Sequence, residues 1–448
     1  MTTYWCEYAW LGGDSVDAGV LIEVDGDLIT NVTMERAFAD ATILRGVTLP
    51  GFANAHSHAF HRALRGVAQT SRRGTFWSWR DEMYALAERL DPDSYRALAR
   101  ATFAEMARAG ITVVGEFHYL HHDRDGVRYT DPNAMGAALV AAAADAGIRI
   151  TLLDTCYLQG GIAGGRVVEL AGVQRRFADE DADGWAARVD ALRSLAGPRV
   201  AIGAAIHSVR AVDPVAQERV VAWATAHGAP LHAHVSEQPA ENTACRAAYG
   251  RTPTAVLADA GALDARFTAV HATHLTDDDI AGLGAARATC CFCPTTERDL
   301  ADGVGPASRL RAAGASLAIG TDSQAVIDPF EEARAVEIDE RLVSGTRGTH
   351  DAAALLAAAT AAGYESLGWA DGGCLAAGAP ADFTTVALDS VRLAGSHPGR
   401  LLDAVVFAAT AADVQHVVVA GGVVVRDGQH VKLDVERELA TAIAAVRA

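Results

Sequence analysis

The segment PGFANAHSHAFHRALRG, residues 50–66, carries two histidines two positions apart, and that spacing decides what they can do. On an extended strand residues i and i+2 leave the same face, so His56 and His58 project together while Ser57 points the other way. Two imidazoles side by side are a ready pair of ligands for a first-row divalent metal. Alone, an HxH pair fits hydrogen-bonded interior histidines equally well. Three more segments break that tie: LHAHVSEQ supplies His234 with Glu237 three residues on, VHATH supplies His271, and IGTDS supplies Asp322. Three neutral histidines and one carboxylate suit a divalent ion with a position left for water. Charged groups stay buried only when paired or metal-bound, so the set reads as a site and not as packing.

Each of these residues ends a short apolar run, and the runs recur. Gly51–His58, Thr112–Tyr119, Ile148–Thr155, Val200–His207, Pro230–Val235, Phe267–Thr273, Ala288–Cys293 and Ser316–Asp322 alternate with Ala-rich segments of helical period. Eight such units are the count of a (β/α)8 TIM barrel, whose active sites form at the C-terminal strand ends. Two of the intervening helices are expected over Pro92–Ala109 and Pro132–Ala146, with proline near the start and glycine just past the end. Residues 18–32 and 380–430 are instead β-branched and turn-rich, with DG and GG turns. They predict a small β-sandwich-like module built from both ends of the chain. The expected division is 1–49 and 366–448 for that module and 50–365 for the barrel.

Composition narrows the chemistry further. The 448 residues carry a formal charge of −18. Nucleic acid and anionic membranes both need clustered positive charge, so neither is an expected partner. No apolar run reaches the roughly 18 residues of a membrane span. The first basic side chain is Arg36, so the leading residues match no signal or transit peptide, and a cytoplasmic location is expected. Lys432 is the only lysine, which excludes a Schiff base, a Walker A loop or a lysine bridging two metals within the barrel. Cys290 and Cys293 have CxxC spacing without a second pair, and read as buried thiols.

With the strand endings in view, the chain resembles the amidohydrolase superfamily and its mononuclear deaminase branch, from LPGFANAHSH through the trailing GAPADF segment. The resemblance implies one divalent metal, zinc first and iron(II) as the alternative, held by His56, His58, His234 and Asp322. It implies that Glu237 carries a proton to the departing nitrogen, that His271 orients the attacking water, and that Asp322 takes the water's proton. HSHAFHRALRG, FWSWRDEMY, EFHYLHH, HSVRAV, HAHVSEQ, HATHL and GTDS together look like the formimidoylglutamate deiminases of bacterial histidine degradation. Residues matching Arg80, Tyr119, His207 and Arg210 bind the two carboxylates and backbone of the substrate there. Both arginines carry guanidinium groups, which pair bidentately with carboxylate. His61 stands where that family often has glutamine, and is assigned to the substrate shell. The expected ligand is a small dicarboxylate, N-formimino-L-glutamate, and the expected assembly a homodimer. Two rivals are a nucleobase-type deaminase of the same branch and a catalytically silent barrel.

The remaining histidines and aromatics have blander expectations. Trp77 and Trp79 are expected in the core at a helix start, and His118, His121 and His122 in a loop as solvent-exposed or supporting groups. His232 is expected buried and hydrogen-bonded, and His274 at the start of the following helix.

Overall fold

Apolar β-branched runs form the strands and Ala-rich segments the helices of the computed structural model, which describes residues 1–34, 40–67, 69 and 74–447. The chain opens with β1 (Thr2–Ala9), β2 (Asp17–Asp25), β3 (Leu28–Met34) and β4 (Thr42–Pro50). It continues through β5 (Phe52–Ser57), β6 (Ile111–His118) and β7 (Arg149–Cys156), then a small hairpin of β8 (Gly161–Ala163) and β9 (Arg166–Val168). There follow β10 (Val200–Ile206), β11 (Leu231–Val235), β12 (Phe267–His271), β13 (Thr289–Phe292) and β14 (Ser316–Ile319). The last strands are β15 (Phe383–Val386), β16 (Val414–Val419), β17 (Gly422–Arg426) and β18 (Gln429–His430).

Eight strands pair in parallel in the order β14-β13-β12-β11-β10-β7-β6-β5, with helices between them, which is the expected (β/α)8 barrel. All eight expected runs form strands, although the last ends at Ile319, three residues before Asp322. The barrel closes at that point. Ser57 and Asp322 bridge in parallel, the His58 amide donates to the Asp322 carbonyl at 3.2 Å, and the Asp322 amide donates to the His56 carbonyl at 3.0 Å. A Cβ on Gly320 would sit 2.7 Å from the His56 carbonyl oxygen, so only glycine lets the two edges meet. Closure therefore fixes His56, His58 and Asp322 relative to one another through the backbone.

The helix Pro92–Arg108 starts as expected, with Asp91 accepting from the Ser94 amide and proline in the first turn. The helix expected from Pro132 begins instead at Ala134 and ends as expected at Ala146, capped by Gly147 at a φ of 79°. The two chain ends share one eight-stranded sheet in the order β18-β17-β16-β15-β4-β1-β2-β3. Tyr4, Val20, Ile22, Leu44, Phe383 and Val418 pack into a single cluster beneath it.

A buried ion pair ties this sheet to the barrel. Arg149, at the start of β7, donates from Nε to Asp382 Oδ2 at 2.6 Å, and Asp382 also accepts from Tyr364 Oη and the Ala420 amide. Both side chains are at most 3% exposed. Arg149→Ala would strand that carboxylate in the interior, at an expected cost of about 3–5 kcal/mol in a urea titration. A change below about 1 kcal/mol, the scale of an exposed pair, would mean that water replaces the guanidinium.

Candidate active site

His56 and His58 leave β5 side by side, His234 leaves β11, and Asp322 follows β14, so the C-terminal strand ends bring all four together. His56 Nε2 lies 3.2 Å from His234 Nε2 and 3.3 Å from Asp322 Oδ1, which is also 3.4 Å from His58 Nε2. Two carbonyls set the tautomers: His58 Nδ1 donates to Phe117 O and His234 Nδ1 to His207 O, each at 2.9 Å. A proton on Nδ1 leaves a lone pair on Nε2. Burial, and then the neighbouring imidazoles, hold His56, His58 and His234 well below the ordinary histidine range. Neutral nitrogen lone pairs thus converge with a carboxylate oxygen among buried side chains, an arrangement that repels itself without a cation and matches three-nitrogen, one-oxygen ligation of a divalent metal.

His271 and Glu237 stand beside this cluster. His271 Nε2 is 3.7 Å from Glu237 Oε1 and 3.9 Å from Asp322 Oδ2, while its Nδ1 is 3.3 Å from Glu297 Oε1. Burial disfavours charge on His271, but Glu237, Glu297 and Asp322 outweigh it and raise the group well above its usual range. Burial pushes the Glu237 carboxyl up to about 7, against the pull of His271 and Arg210. His271 and Asp322 both take positive φ, 66° and 42°, the kind of backbone strain that collects at functional sites.

A cavity of about 250 Å³ opens from this wall. His58, His61, Tyr119, His207, His234, Glu237, His271 and Asp322 line its floor, and Arg80 and Arg210 line it as well. His61 Nε2 lies 3.1 Å from Tyr119 Oη. Arg210 sits 3.8 Å from Glu237 and 3.7 Å from Glu241. Arg80, on the helix α1 (Phe76–Ala87), has its guanidinium 4.5 Å from the Trp77 ring centroid and 5.3 Å from that of Tyr84. Its buried Nε has no hydrogen-bond partner among the described residues.

The amidohydrolase family model matches residues 47–424. The chain belongs to the amidohydrolase family. Its chemistry is hydrolysis at carbon–nitrogen bonds, and this amidohydrolase is similar along its length to characterised relatives. It is 37% identical to a formimidoylglutamate deiminase of Pseudomonas aeruginosa, covering 92% of each chain. It is 30% identical to a 5-methylthioadenosine/S-adenosylhomocysteine deaminase of Pelotomaculum thermopropionicum, over 88% of this chain and 84% of the relative. The crystal structure of an amidohydrolase from Brucella melitensis superposes with a TM-score of 0.92 at 33% identity, covering all of both chains.

Several residues of this amidohydrolase sit where sequence reasoning did not put them. Trp77 is 40% exposed and not in the core, because α1 stands at the cavity rim and turns that face outward; Trp79 is half-buried against the core. Of the two expectations for His118, His121 and His122, exposure fails and the supporting role holds, for all three are buried: His121 Nε2 donates to Thr155 O at 2.9 Å, and His122 Nε2 is 3.5 Å from Asp179. His232 is buried and bonded to Ser366 O as expected, whereas His274 precedes the helix Asp277–Ala285, whose cap is Thr276. Arg210, whose side chain is 15% exposed, lies between two glutamates. Glu297 and Glu241 were missed altogether. Glu297 follows the seventh barrel strand in CPTTERD, and the rule that strand ends carry the chemistry was the signal available for it.

Proposed function

We propose that the chain is a metal-dependent formimidoylglutamate deiminase, converting N-formimino-L-glutamate and water to N-formyl-L-glutamate and ammonia. The observation that carries this reading is the pair of guanidinium groups facing the histidine–carboxylate cluster across one cavity. Arg80, a half-buried cation without a carboxylate partner among the described residues, needs an anion, and one end of a dicarboxylate supplies it. The likeness to the Pseudomonas relative supports the same substrate.

In this reading His56, His58, His234 and Asp322 hold one divalent ion, zinc or iron(II). Bound there, such an ion supplies the Lewis acidity that brings a water's pKa near neutrality. His271 donates toward the attacking oxygen and stabilises the charge that develops on it. Asp322 uses Oδ2, the oxygen turned to His271, to accept the proton as the oxygen bonds to the formimino carbon. Glu237, with a carboxyl held near 7, delivers one proton to the imine nitrogen as the tetrahedral carbon forms; the proton taken by Asp322 passes to the same nitrogen as the carbon–nitrogen bond breaks and ammonia leaves, and the remaining hydroxyl proton returns to Glu237 as the formyl carbonyl forms. Arg80 and Arg210 pair with the two carboxylates while Tyr119, His207 and His61 border the substrate between them, so binding energy far from the reacting carbon fixes its position.

A nucleobase-type reading has one observation in its favour, the aromatic lining of Phe76, Trp79, Tyr84, Tyr157 and Phe177. The arginines separate the two. Arg80→Ala and Arg210→Ala are each expected to lower kcat/KM for N-formimino-L-glutamate at least about tenfold, with metal content unchanged. Unaltered kinetics in both variants would remove the dicarboxylate from the site.

A further inference from the structure

Turning the His271 imidazole over about its Cβ–Cγ bond would leave its shape almost unchanged, yet it would exchange Nδ1 with Cδ2 and Nε2 with Cε1. Only one of the two orientations points Nε2 at Glu237 and Asp322, 3.7 and 3.9 Å away. Packing does not choose between them. The ring is buried and lies nearly parallel to that of His234, with planes 13° and centroids 5.6 Å apart, and either orientation fills that space equally well.

Glu297 does choose. Its Oε1 lies 3.3 Å from His271 Nδ1, where the flipped ring would present a carbon. That oxygen is itself held in place, because it also accepts from the Cys293 amide at 2.9 Å while the Glu297 amide donates to the Cys293 carbonyl at 2.9 Å. The carboxylate thus reaches back over the first turn of the helix Pro294–Asp299, which follows β13. An oxygen that already accepts an N–H meets Nδ1 as an acceptor, so Nδ1 carries the proton. With that proton fixed, Nε2 can donate only from a ring that is a cation, and Glu297 is the anion on its far side, as in serine hydrolase triads. Glu297 does not line the cavity, so any part it has in the reaction passes through His271.

We propose that Glu297 is a positioning residue for the hydrolytic step, holding the His271 ring in the orientation, and with the Nδ1 proton, that present Nε2 to the attacking oxygen. The inference rests on the mechanism proposed above. A glutamate serving only the first turn of its helix would make the same two bonds to Cys293, so the test must read His271.

One arm reads the ring by NMR, in zinc-loaded protein labelled with ¹⁵N-histidine and without substrate. Wild type is expected to show a protonated Nδ1 that His271→Asn removes. Glu297→Gln should keep that signal, since the Cys293 amide holds the glutamine oxygen in the place of Oε1, and Glu297→Ala should lose it. A bare Nδ1 on His271 in wild type, which needs no Glu297 variant to fold, or a signal indifferent to alanine, would overturn the proposal. The other arm is kinetics on N-formimino-L-glutamate. Glu297→Ala is expected to lower kcat about 10- to 100-fold, with KM within about twofold and metal content unchanged, and glutamine should restore kcat to within about fivefold of wild type. In a His271→Asn background the alanine change should cost no more than about twofold further, because its partner is gone. The full loss repeated there, or glutamine no better than alanine, would reduce Glu297 to a support of its helix. A wild type inactive on this substrate would fail the dicarboxylate reading, while the ring signal would still decide for or against Glu297.

Discussion

Asp322→Asn protein is expected to lose roughly 10–100-fold or more in metal affinity, and with it all but a trace of turnover, while folding normally. Groups that merely orient a ligand are worth that factor, and in the proposed ligand set Asp322 binds the ion directly. The substitution is a clean one. Asp322 sits at φ 42°, where asparagine is as well tolerated as aspartate, so the charge is removed without disturbing the seam that closes the barrel. His56→Ala removes a nitrogen from the same cluster and should behave alike. Elemental analysis after dialysis checks both, against a wild type holding close to one transition metal per chain and losing activity to a chelator. Two other buried groupings are not expected to fill. Both Asp154 oxygens beside His118 and His121 already accept from Arg188, and burial keeps the Cys293 thiol beside His271 and Glu297 well above its usual range. Two tightly bound metals, both needed for turnover, would contradict the assignment.

Glu237→Gln should part from this behaviour, keeping the metal and losing roughly 10²–10⁴ in kcat. Glutamine preserves the shape and the contact with Arg210 but cannot pass a proton. Glu237 lies 3.7 Å from His271 and outside the group formed by His56, His58 and His234. A full loss of metal in this variant would make Glu237 a ligand and take it off the proton path.

How much of this was legible in the chain follows from what each feature depends on. The strands were readable because their apolar runs are local and bounded by glycine, and the HxH, HxxE and TDS endings because strand spacing alone aligns them. The barrel's closure at the His56–Asp322 seam was not, since β14 ends before Asp322 and only the bridge to Ser57 carries the strand direction onward. Arg210's partners, Glu237 and Glu241, come from a different βα connection, and no pattern along the chain announces such a pairing. Trp77 read as core because tryptophan is usually buried, yet on α1 it stands at a cavity rim, where Arg80 covers its ring. His118, His121 and His122 were read from a loop-like polar run, and it is the Arg188–Asp154–Asp179 network behind them that makes their burial tolerable.

Ammonia release by the metal-loaded wild-type enzyme, measured in parallel on N-formimino-L-glutamate, 5′-methylthioadenosine and guanine, tests the central claim most directly. The proposed pairing of Arg80 and Arg210 with a dicarboxylate predicts efficient turnover of the first, with the two ring substrates slower by at least about a hundredfold in kcat/KM, a difference near 2.7 kcal/mol. Turnover of either ring compound at a higher kcat/KM than N-formimino-L-glutamate would contradict the account.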